Sequence, residues 1–537
     1  MRLWLLAVLF LPSVVLTNSA WSLEVAPVAA AKRKAVPLPS PPAEAPAPPD
    51  LKAPPLTPAE ALRGDIDRIL ADAAAAHMTV AARIIVLGDE AGRAPEVVYS
   101  VRADHPLIPA STMKLVTTAA CLDRFGADWR IRTHVGRIPA AGKDAPWDLA
   151  VIGGGDPNFS GRFYDEDSVG AFRRWAAVLK SRGIKALGRL VLDDTLFDDT
   201  IQHPQWPADQ RAEWYEAPVS ALGLNDNCID VRLSPGQVGG PAVIRLDPPG
   251  DYASIEGSIL TVADRKDHVY TLARLPAPGA ATGMRLRVGG GFWVQSPEVV
   301  EYRTVASPTM FFGAALAETL RSEGIAVAGP VVRERLVDKD GRARPDFACD
   351  IVHVSRLDVT ITVANKRSQG LYAECLMKIL GAYAPTPKVE APLPPRQGTW
   401  ETGTEEARRW LVERGIPADG CVIVDGSGLA KENRLTALAV AELLRVMCER
   451  HGDAFLHTLA AAGEDGSLSK RMRNTPAEGR VWGKTGYVLG VSALSGYVRS
   501  KGGRTIAYSI MMNDVPWGQL WRARDAQDKV CLRLVEY

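Results

Sequence analysis

Several common signatures of catalytic and metal sites are missing from this chain of 537 residues. It has no HExxH zinc motif, no GxxxxGK(S/T) phosphate loop and no GxSxG turn. Metallopeptidases, P-loop nucleotidases and Ser-His-Asp hydrolases are therefore left without support. Only seven cysteines occur and none form a CxxC pair, so cysteine zinc sites and thioredoxin-like chemistry also lack support. We expect no metal site and no organic cofactor.

The chain has no marked excess of charge of one sign, and long hydrophobic runs are scarce. The 63 basic residues balance 62 acidic ones, so nothing indicates a nucleic-acid partner. An apolar run over Leu3–Leu16 follows a positively charged start and ends near the small residues Ser19 and Ala20. The run is shorter than the ~20 residues of a membrane span. We predict that residues 1–20 are a signal peptide, which places the protein in the periplasm or cell envelope with no stable membrane span after cleavage.

The next segment differs from the rest in composition. Residues 21–56 are rich in Pro and Ala, which cannot build a core and favour extended chain, so we predict a linker. Order is predicted to begin at Thr57, which forms a capping box with Glu60 and starts a helix that runs to about Leu70.

The remaining pattern predicts an α/β (α+β) body interrupted by an insert. A helix from Ala110 to Gly126 has so few polar positions that it must be buried nearly all round. From about Arg132 to Asp350 short β-like runs alternate with turns, which predicts one or two mostly β domains. Helices then return, and a hairpin of two strands near the C-terminus predicts an antiparallel sheet flanked by helices.

The first chemical motif is Ser111-Thr-Met-Lys114 on the buried helix. Residues three apart on a helix share one face. A serine needs a base to become a nucleophile, and burial can lower the pKa of a lysine enough for it to serve. We predict Ser111 as nucleophile and Lys114 as its base. The alternative is that Ser111 only caps the helix.

A second copy of this spacing occurs at Ser467–Lys470. It lies beside Gly466 and charged residues with no apolar helix behind it, so we interpret it as a loop.

The second motif is Lys484-Thr485-Gly486, which precedes the hairpin. A lysine and a hydroxyl on a strand can bind a substrate carboxylate, and a glycine lets the substrate backbone approach closely. Tyr487 can offer its backbone N–H to an oxyanion, with the N–H of Ser111 as the second donor. The alternative is an ordinary strand start with a solvated lysine.

Together with a segment around Ser368, these motifs resemble the low-molecular-mass class C penicillin-binding proteins, which are D-alanyl-D-alanine carboxypeptidases and endopeptidases. The resemblance covers nearly all of the chain after the linker, and the matching stretches are 109–120, 155–157, 425–429 with 433–434, 462–468 and 483–490.

The resemblance implies a transpeptidase/β-lactamase-like domain formed by residues 57–134 and 352–537. It also implies that the inserted region 135–351 holds two domains, one from 135–225 with 326–351 and one from 226–325. It further implies that Ser368 relays a proton to the leaving amine, that peptidoglycan peptides are substrates and that β-lactams are inhibitors.

One position departs from the family pattern. The family's middle motif is Ser-x-Asn, whereas this chain has Ser368-Gln369-Gly370 and lacks the carboxamide. Two alternatives therefore stay open: an envelope protein that binds wall peptides or penicillin but turns over poorly, and a β-lactamase-like hydrolase. The second would need a glutamate that activates water, and we recognise no such position.

Overall fold

The computed structural model describes residues 56–537 apart from 89–91, 141, 143–144, 276–282 and 386–390. The predicted signal peptide and all of the predicted linker except Leu56 lie outside the described residues.

The strands of the described residues, in chain order, are β1 (Thr79–Val86), β2 (Glu96–Val101), β3 (Arg130–Pro139), β4 (Trp147–Ile152), β5 (Ala186–Leu187), β6 (Leu190–Asp193), β7 (Cys228–Ser234), β8 (Val243–Asp247), β9 (Ala253–Gly257), β10 (Leu260–Val262), β11 (Tyr270–Leu275), β12 (Met284–Trp293), β13 (Val299–Thr304), β14 (Ala326–Val327), β15 (Val331–Arg333), β16 (Ala348–Arg356), β17 (Ala460–Ala461), β18 (Val481–Val488), β19 (Val491–Arg499) and β20 (Thr505–Asn513).

The α-helices of the same residues are α1 (Pro58–Ala75), α2 (Lys114–Phe125), α3 (Gly170–Ser181), α4 (Pro308–Ser322), α5 (Leu357–Lys366), α6 (Gly370–Tyr383), α7 (Trp400–Glu413), α8 (Ala437–His451), α9 (Asp453–Leu456) and α10 (Leu520–Val535).

Both ends of the described chain meet in one six-stranded sheet with the order β17-β18-β19-β20-β1-β2. Every neighbouring pair in it is antiparallel. The alternation of side chains along a strand decides which helices cover each face. On β20, Tyr508 and Ile510 pack with residues of α1 and α10, whereas Ala507 and Met511 pack with residues of α2 and α8. The sheet is thus covered by helices on both sides, and α2 lies buried beneath it.

Further sheets are built from the middle of the chain. The largest has the order β15-β6-β4-β3-β16, and the others join β10-β12-β11 with β9, β13-β7-β8, and β14-β5. The fold class expected from the sequence is confirmed: antiparallel sheet flanked by helices, with a largely β middle region. The division of that region into two domains stays a prediction.

Local sequence patterns predicted several of these elements correctly. Thr57 and Glu60 form the predicted capping box, with the Thr57 N–H 2.8 Å from the Glu60 carboxylate, and the helix they start runs beyond Leu70 to Ala75. The predicted hairpin is the pair β19 and β20. All seven cysteines are free, and five of them are buried as small hydrophobic groups.

Within the part of the chain that the structure describes, no helix combines the length and the apolar character needed to cross a membrane.

Candidate active site

Ser111 and Lys114 are in direct contact. Ser111 lies in a single 3₁₀ turn, Ala110–Met113, which leads straight into α2. Lys114 is the first residue of α2, and its side chain is buried among the helices below the sheet. The Nζ atom of Lys114 donates hydrogen bonds to Ser111 Oγ at 2.9 Å and to the Ser427 carbonyl oxygen at 2.8 Å. The predicted nucleophile and base therefore stand in the geometry that proton transfer requires.

The environment of Lys114 lowers its basicity. Burial disfavours the charged ammonium and lowers the pKa of Lys114 to about 8, while the carboxylates of Glu374 and Asp425 oppose that shift. An amine with this pKa is substantially neutral at mildly alkaline pH, and a neutral amine has the lone pair that a base needs.

Two buried acids support this lysine. The sequence analysis placed Asp425 in a matching stretch without giving it a role, and it did not single out Glu374. Glu374 on α6 accepts hydrogen bonds from the backbone N–H groups of Gly426 (2.9 Å) and Ser427 (2.7 Å). Asp425 accepts from the N–H of Gly428 at 2.7 Å, so the turn that presents the Ser427 carbonyl to Lys114 is held from both sides. The available signal was a glutamate in the mostly apolar run of α6.

The second motif meets Ser368 on the other side of the cleft. Lys484 on β18 is fully buried, and its Nζ donates to Ser368 Oγ and to the Thr485 carbonyl oxygen, both at 2.8 Å. Burial, together with the charge of Lys114, holds the pKa of Lys484 well below its usual value. The influence of the Lys114 charge on Lys484 indicates that both halves of the site lie close together.

Ser467 takes part in the site, which the sequence did not indicate. The segment interpreted as a loop is a 3₁₀ turn over Gly466–Leu468, and Thr485 Oγ1 donates to Ser467 Oγ at 2.9 Å. The functional signal for Ser467 is tertiary, since eighteen positions separate the two hydroxyls along the chain.

Gly486 allows β18 to lie directly against the turn that carries Ser111. A Cβ atom at Gly486 would stand 2.5 Å from the Pro109 carbonyl oxygen and 3.3 Å from the Thr112 nitrogen. Any side chain would push the strand away from Ser111. Tyr487 follows at once, and its side chain is half exposed.

Both serine segments have unusual backbone conformations. Ala110, directly before Ser111, has φ = 46°, and Ser368 has φ = 59°. Non-glycine residues adopt this left-handed region at a cost of about 1–3 kcal/mol, and such residues cluster at functional sites. The surrounding fold thus holds both hydroxyls in positions that the local chain would not choose.

The family's carboxamide would stand at Gly370. The space for a side chain there is narrow, and neither neighbouring side-chain amide occupies it. A Cβ atom at Gly370 would lie 3.2 Å from the Tyr215 carbonyl oxygen and 3.9 Å from Ser427 Cβ. Gln369 points elsewhere and donates to Asp226 at 2.5 Å. Asn365 is buried and donates to Thr458 Oγ1 at 3.0 Å. Neither neighbouring amide replaces the absent one.

Comparison with known proteins agrees with this geometry. The chain matches the family described as D-Ala-D-Ala carboxypeptidase 3 (S13) over residues 62–533. It is 32% identical over 494 residues to a D-alanyl-D-alanine carboxypeptidase of Actinomadura sp. (strain R39), which covers 89% of this chain and 85% of that protein. It is 22% identical over 435 residues to a D-alanyl-D-alanine carboxypeptidase of Haemophilus influenzae, covering 77% of this chain and 82% of the relative.

A solved structure shares the fold. The crystal structure of penicillin binding protein 4 from Haemophilus influenzae superposes with a TM-score of 0.69 at 20% identity, and the match covers 88% of this chain and 99% of that one. The family match spans most of the chain and includes all the motifs described above. The chain therefore belongs to the D-Ala-D-Ala carboxypeptidase 3 (S13) family of serine peptidases.

Proposed function

We propose that this protein is a serine D-Ala-D-Ala carboxypeptidase/endopeptidase that acts on peptidoglycan stem peptides through an acyl-enzyme on Ser111. The observation that carries the proposal is the contact between Ser111 Oγ and the buried, weakly basic Lys114 Nζ, 2.9 Å apart. The family supports the same reaction class.

The first step forms an ester. Ser111 Oγ attacks the carbonyl carbon of the peptide bond between two D-alanines, and the neutral Lys114 amine takes the hydroxyl proton. The carbonyl oxygen becomes an oxyanion, for which the backbone N–H groups of Ser111 and Tyr487 are the donors. Close packing at Gly486 keeps these two donors near each other.

The leaving amine needs a proton before the bond to the carbonyl carbon breaks. Ser368 Oγ already accepts a hydrogen bond from Lys484, so its own O–H is free to donate. Ser368 gives its hydroxyl proton to the leaving nitrogen. The proton that Lys114 took from Ser111 then returns to Ser368. Water then attacks the ester, Lys114 again serves as base, and Ser111 is regenerated.

The substrate binds as an extended chain along β18. The short strand β17 pairs only with Trp482 and Gly483, so among the described strands the edge from Lys484 to Val488 has no partner on that side. An extended peptide can add to such an edge by main-chain hydrogen bonds. Lys484 and Thr485 would then hold the carboxylate that follows the scissile bond.

The expected partners and place in the cell belong to the same proposal. β-Lactams would acylate Ser111 as inhibitors, which is consistent with a β-lactam complex of the Haemophilus influenzae protein that shares this fold with a TM-score of 0.64. The N-terminal pattern favours export to the periplasm or cell envelope. We retain the division into a penicillin-binding domain, 57–134 with 352–537, and an insert of two domains.

The decisive experiment is labelling with a reporter penicillin followed by peptide mapping. We expect an adduct on the Ser111 peptide and none in Ser111→Ala, and we expect D-alanine to be released from a peptide ending in D-Ala-D-Ala. A cross-linked dimer as second substrate separates endopeptidase from carboxypeptidase activity. An adduct on Ser467, or no adduct after long exposure, would contradict the proposal.

A second candidate is favoured by one observation, the absence of a carboxamide at Gly370. If that group is needed for turnover, the protein binds wall peptides or penicillin and forms the acyl-enzyme slowly. Labelling of Ser111 without release of D-alanine would identify this function.

A further inference from the structure

The turn that carries Ser368 has a backbone conformation that needs support from outside. It joins α5 to α6 over residues 367–369, and Ser368 lies in the left-handed region. Gly370, the first residue of α6, has no side chain that could hold the turn. Gln369 stands at the N-cap of α6, but its buried side chain does not cap the helix. The partner of Gln369 therefore decides how firmly this turn is held.

That partner belongs to the largely β middle region of the chain. Gln369 Nε2 donates to the Asp226 carboxylate at 2.5 Å, across 143 positions of sequence. Both residues line a cleft of about 1140 Å³ that also reaches Ser467. A hydrogen bond to an ionised acceptor is stronger than one between neutral groups. The contact thus ties the Ser368 turn to the far wall of the cleft.

Asp226 is itself held by an arginine. Arg162 donates to both of its carboxylate oxygens, at 3.0 and 2.7 Å, in the two-point geometry that fixes orientation. The same guanidinium donates to the Tyr372 hydroxyl at 3.0 Å. Tyr372 is fully buried in the first turn of α6. The contacts therefore form a closed ring, Gln369–Asp226–Arg162–Tyr372, that begins and ends where α6 starts.

We propose that Gln369 and Asp226 are positioning residues, which hold the Ser368 hydroxyl against Lys484 in the orientation in which it protonates the leaving nitrogen. The inference rests on the proposed function and deepens it, because it makes this proton transfer depend on a contact from the middle region of the chain. Both residues act through Ser368. A small displacement is enough, since a misplacement of about 1 Å can cost on the order of 100-fold in rate.

Two acylating probes separate proton delivery from general damage to the site. A reporter penicillin is a cyclic amide, and its nitrogen must gain a proton as the C–N bond breaks. A peptide that ends in a D-alanyl thioester instead loses a thiolate, which leaves without a proton because a thiol has a pKa of only about 8.5. Both probes form an ester on Ser111, so the second-order acylation rate is the quantity to compare.

The variants should affect the two probes differently. Gln369→Ala and Asp226→Ala should each be acylated by the penicillin about 10- to 100-fold more slowly, with little change for the thioester. Ser368→Ala should lose at least as much with the penicillin. Adding Gln369→Ala to it should cost nothing further, because the two residues act as a unit.

A conservative variant should restore the rate. In Asp226→Asn the Gln369 amide can turn over and accept from the new amide through its Oε1 atom, which is buried and has no hydrogen-bond partner among the described residues. Asp226→Asn should therefore recover most of the penicillin rate that Asp226→Ala loses.

Asp247 supplies a matched control in the same cleft. Its carboxylate lies 3.6 Å from Arg232 and accepts from Ser168 Oγ at 2.5 Å, so it is also an acid beside an arginine, with partners outside the Ser368 turn. Asp247→Ala should leave both acylation rates unchanged. Melting temperatures of all variants confirm that they are folded.

The outcomes separate this inference from the proposed function. Equal losses of Gln369→Ala on both probes, an additive loss in the double variant, or a selective loss in Asp247→Ala overturns the positioning role while the acyl-enzyme mechanism stands. A Ser368→Ala variant that loses equally on both probes overturns the proton relay, and the positioning role with it. A wild-type protein that neither probe acylates at Ser111 overturns the proposed function itself.

Discussion

The pH dependence of acylation follows from the environment of Lys114. Only the neutral amine can take the Ser111 proton, and the pKa of Lys114 is lowered to about 8. About one-tenth of the protein is then active at pH 7 and about nine-tenths at pH 9. The second-order acylation rate should therefore rise roughly tenfold between these values and level off above them.

A substitution at Glu374 identifies the titrating group. The Glu374 carboxylate raises the pKa of Lys114. The pKa of Lys484 is instead lowered by burial and by the charge of Lys114. Removing that charge in Glu374→Gln should lower the pKa of Lys114 further, so the midpoint of the profile should fall by about one pH unit or more. The substitution also places an amide N–H₂ against backbone N–H donors, so some loss of stability is expected.

The assay is acylation by a reporter penicillin from pH 6 to 10, with Ser111→Ala as blank. Glu406→Gln is the matched control, because Glu406 is also a buried glutamate but pairs with Arg396 and Arg409. A flat profile, or a midpoint that Glu374→Gln leaves in place, would refute the assignment of Lys114 as base. If the midpoint of the pH profile shifts by the same amount in Glu406→Gln, the shift comes from the general loss of a buried negative charge and not from the contact with Lys114.

Three further predictions concern the rest of the chain. Gly370→Asn should be acylated about ten- to a thousand-fold faster than Gly370→Ala, because both have the same tight Cβ contact to Tyr215 and only Asn supplies the carboxamide. Equal rates in a penicillin assay would show that the missing contact is compensated. Ser467→Ala should weaken substrate affinity several-fold, as measured by KM, because the Thr485 hydroxyl loses the partner that fixes its orientation; the penicillin adduct should stay on Ser111, and a lost adduct would contradict this. Removal of residues 1–56 should leave the melting temperature unchanged, because the Pro- and Ala-rich segment has no core to contribute; a large decrease would show that it packs on the body.

Much of the architecture could be predicted from local patterns. The capping box at Thr57, the apolar helix behind Ser111 and the C-terminal hairpin are all decided by residues close together in the chain, where hydrogen bonding and side-chain periodicity act directly. The helix predicted from Ala110 begins with a 3₁₀ turn, Ala110–Met113, in which Ala110 is left-handed and against which β18 packs closely at Gly486. Such adjustments depend on neighbours that are distant in sequence.

The chemical residues divide in the same way. By itself the sequence determined which side chains can act, since Ser111 with Lys114, and Lys484 with Thr485, stand at fixed short spacings. Only the tertiary structure decided how they act: it buries Lys114 and so lowers its pKa, and it brings Glu374 to the turn that orients this lysine. The burial of the helix that carries Lys114 was predictable from its few polar positions, whereas the long-range contacts to Glu374 and Ser427 depend on how distant segments pack, and no local pattern encodes them.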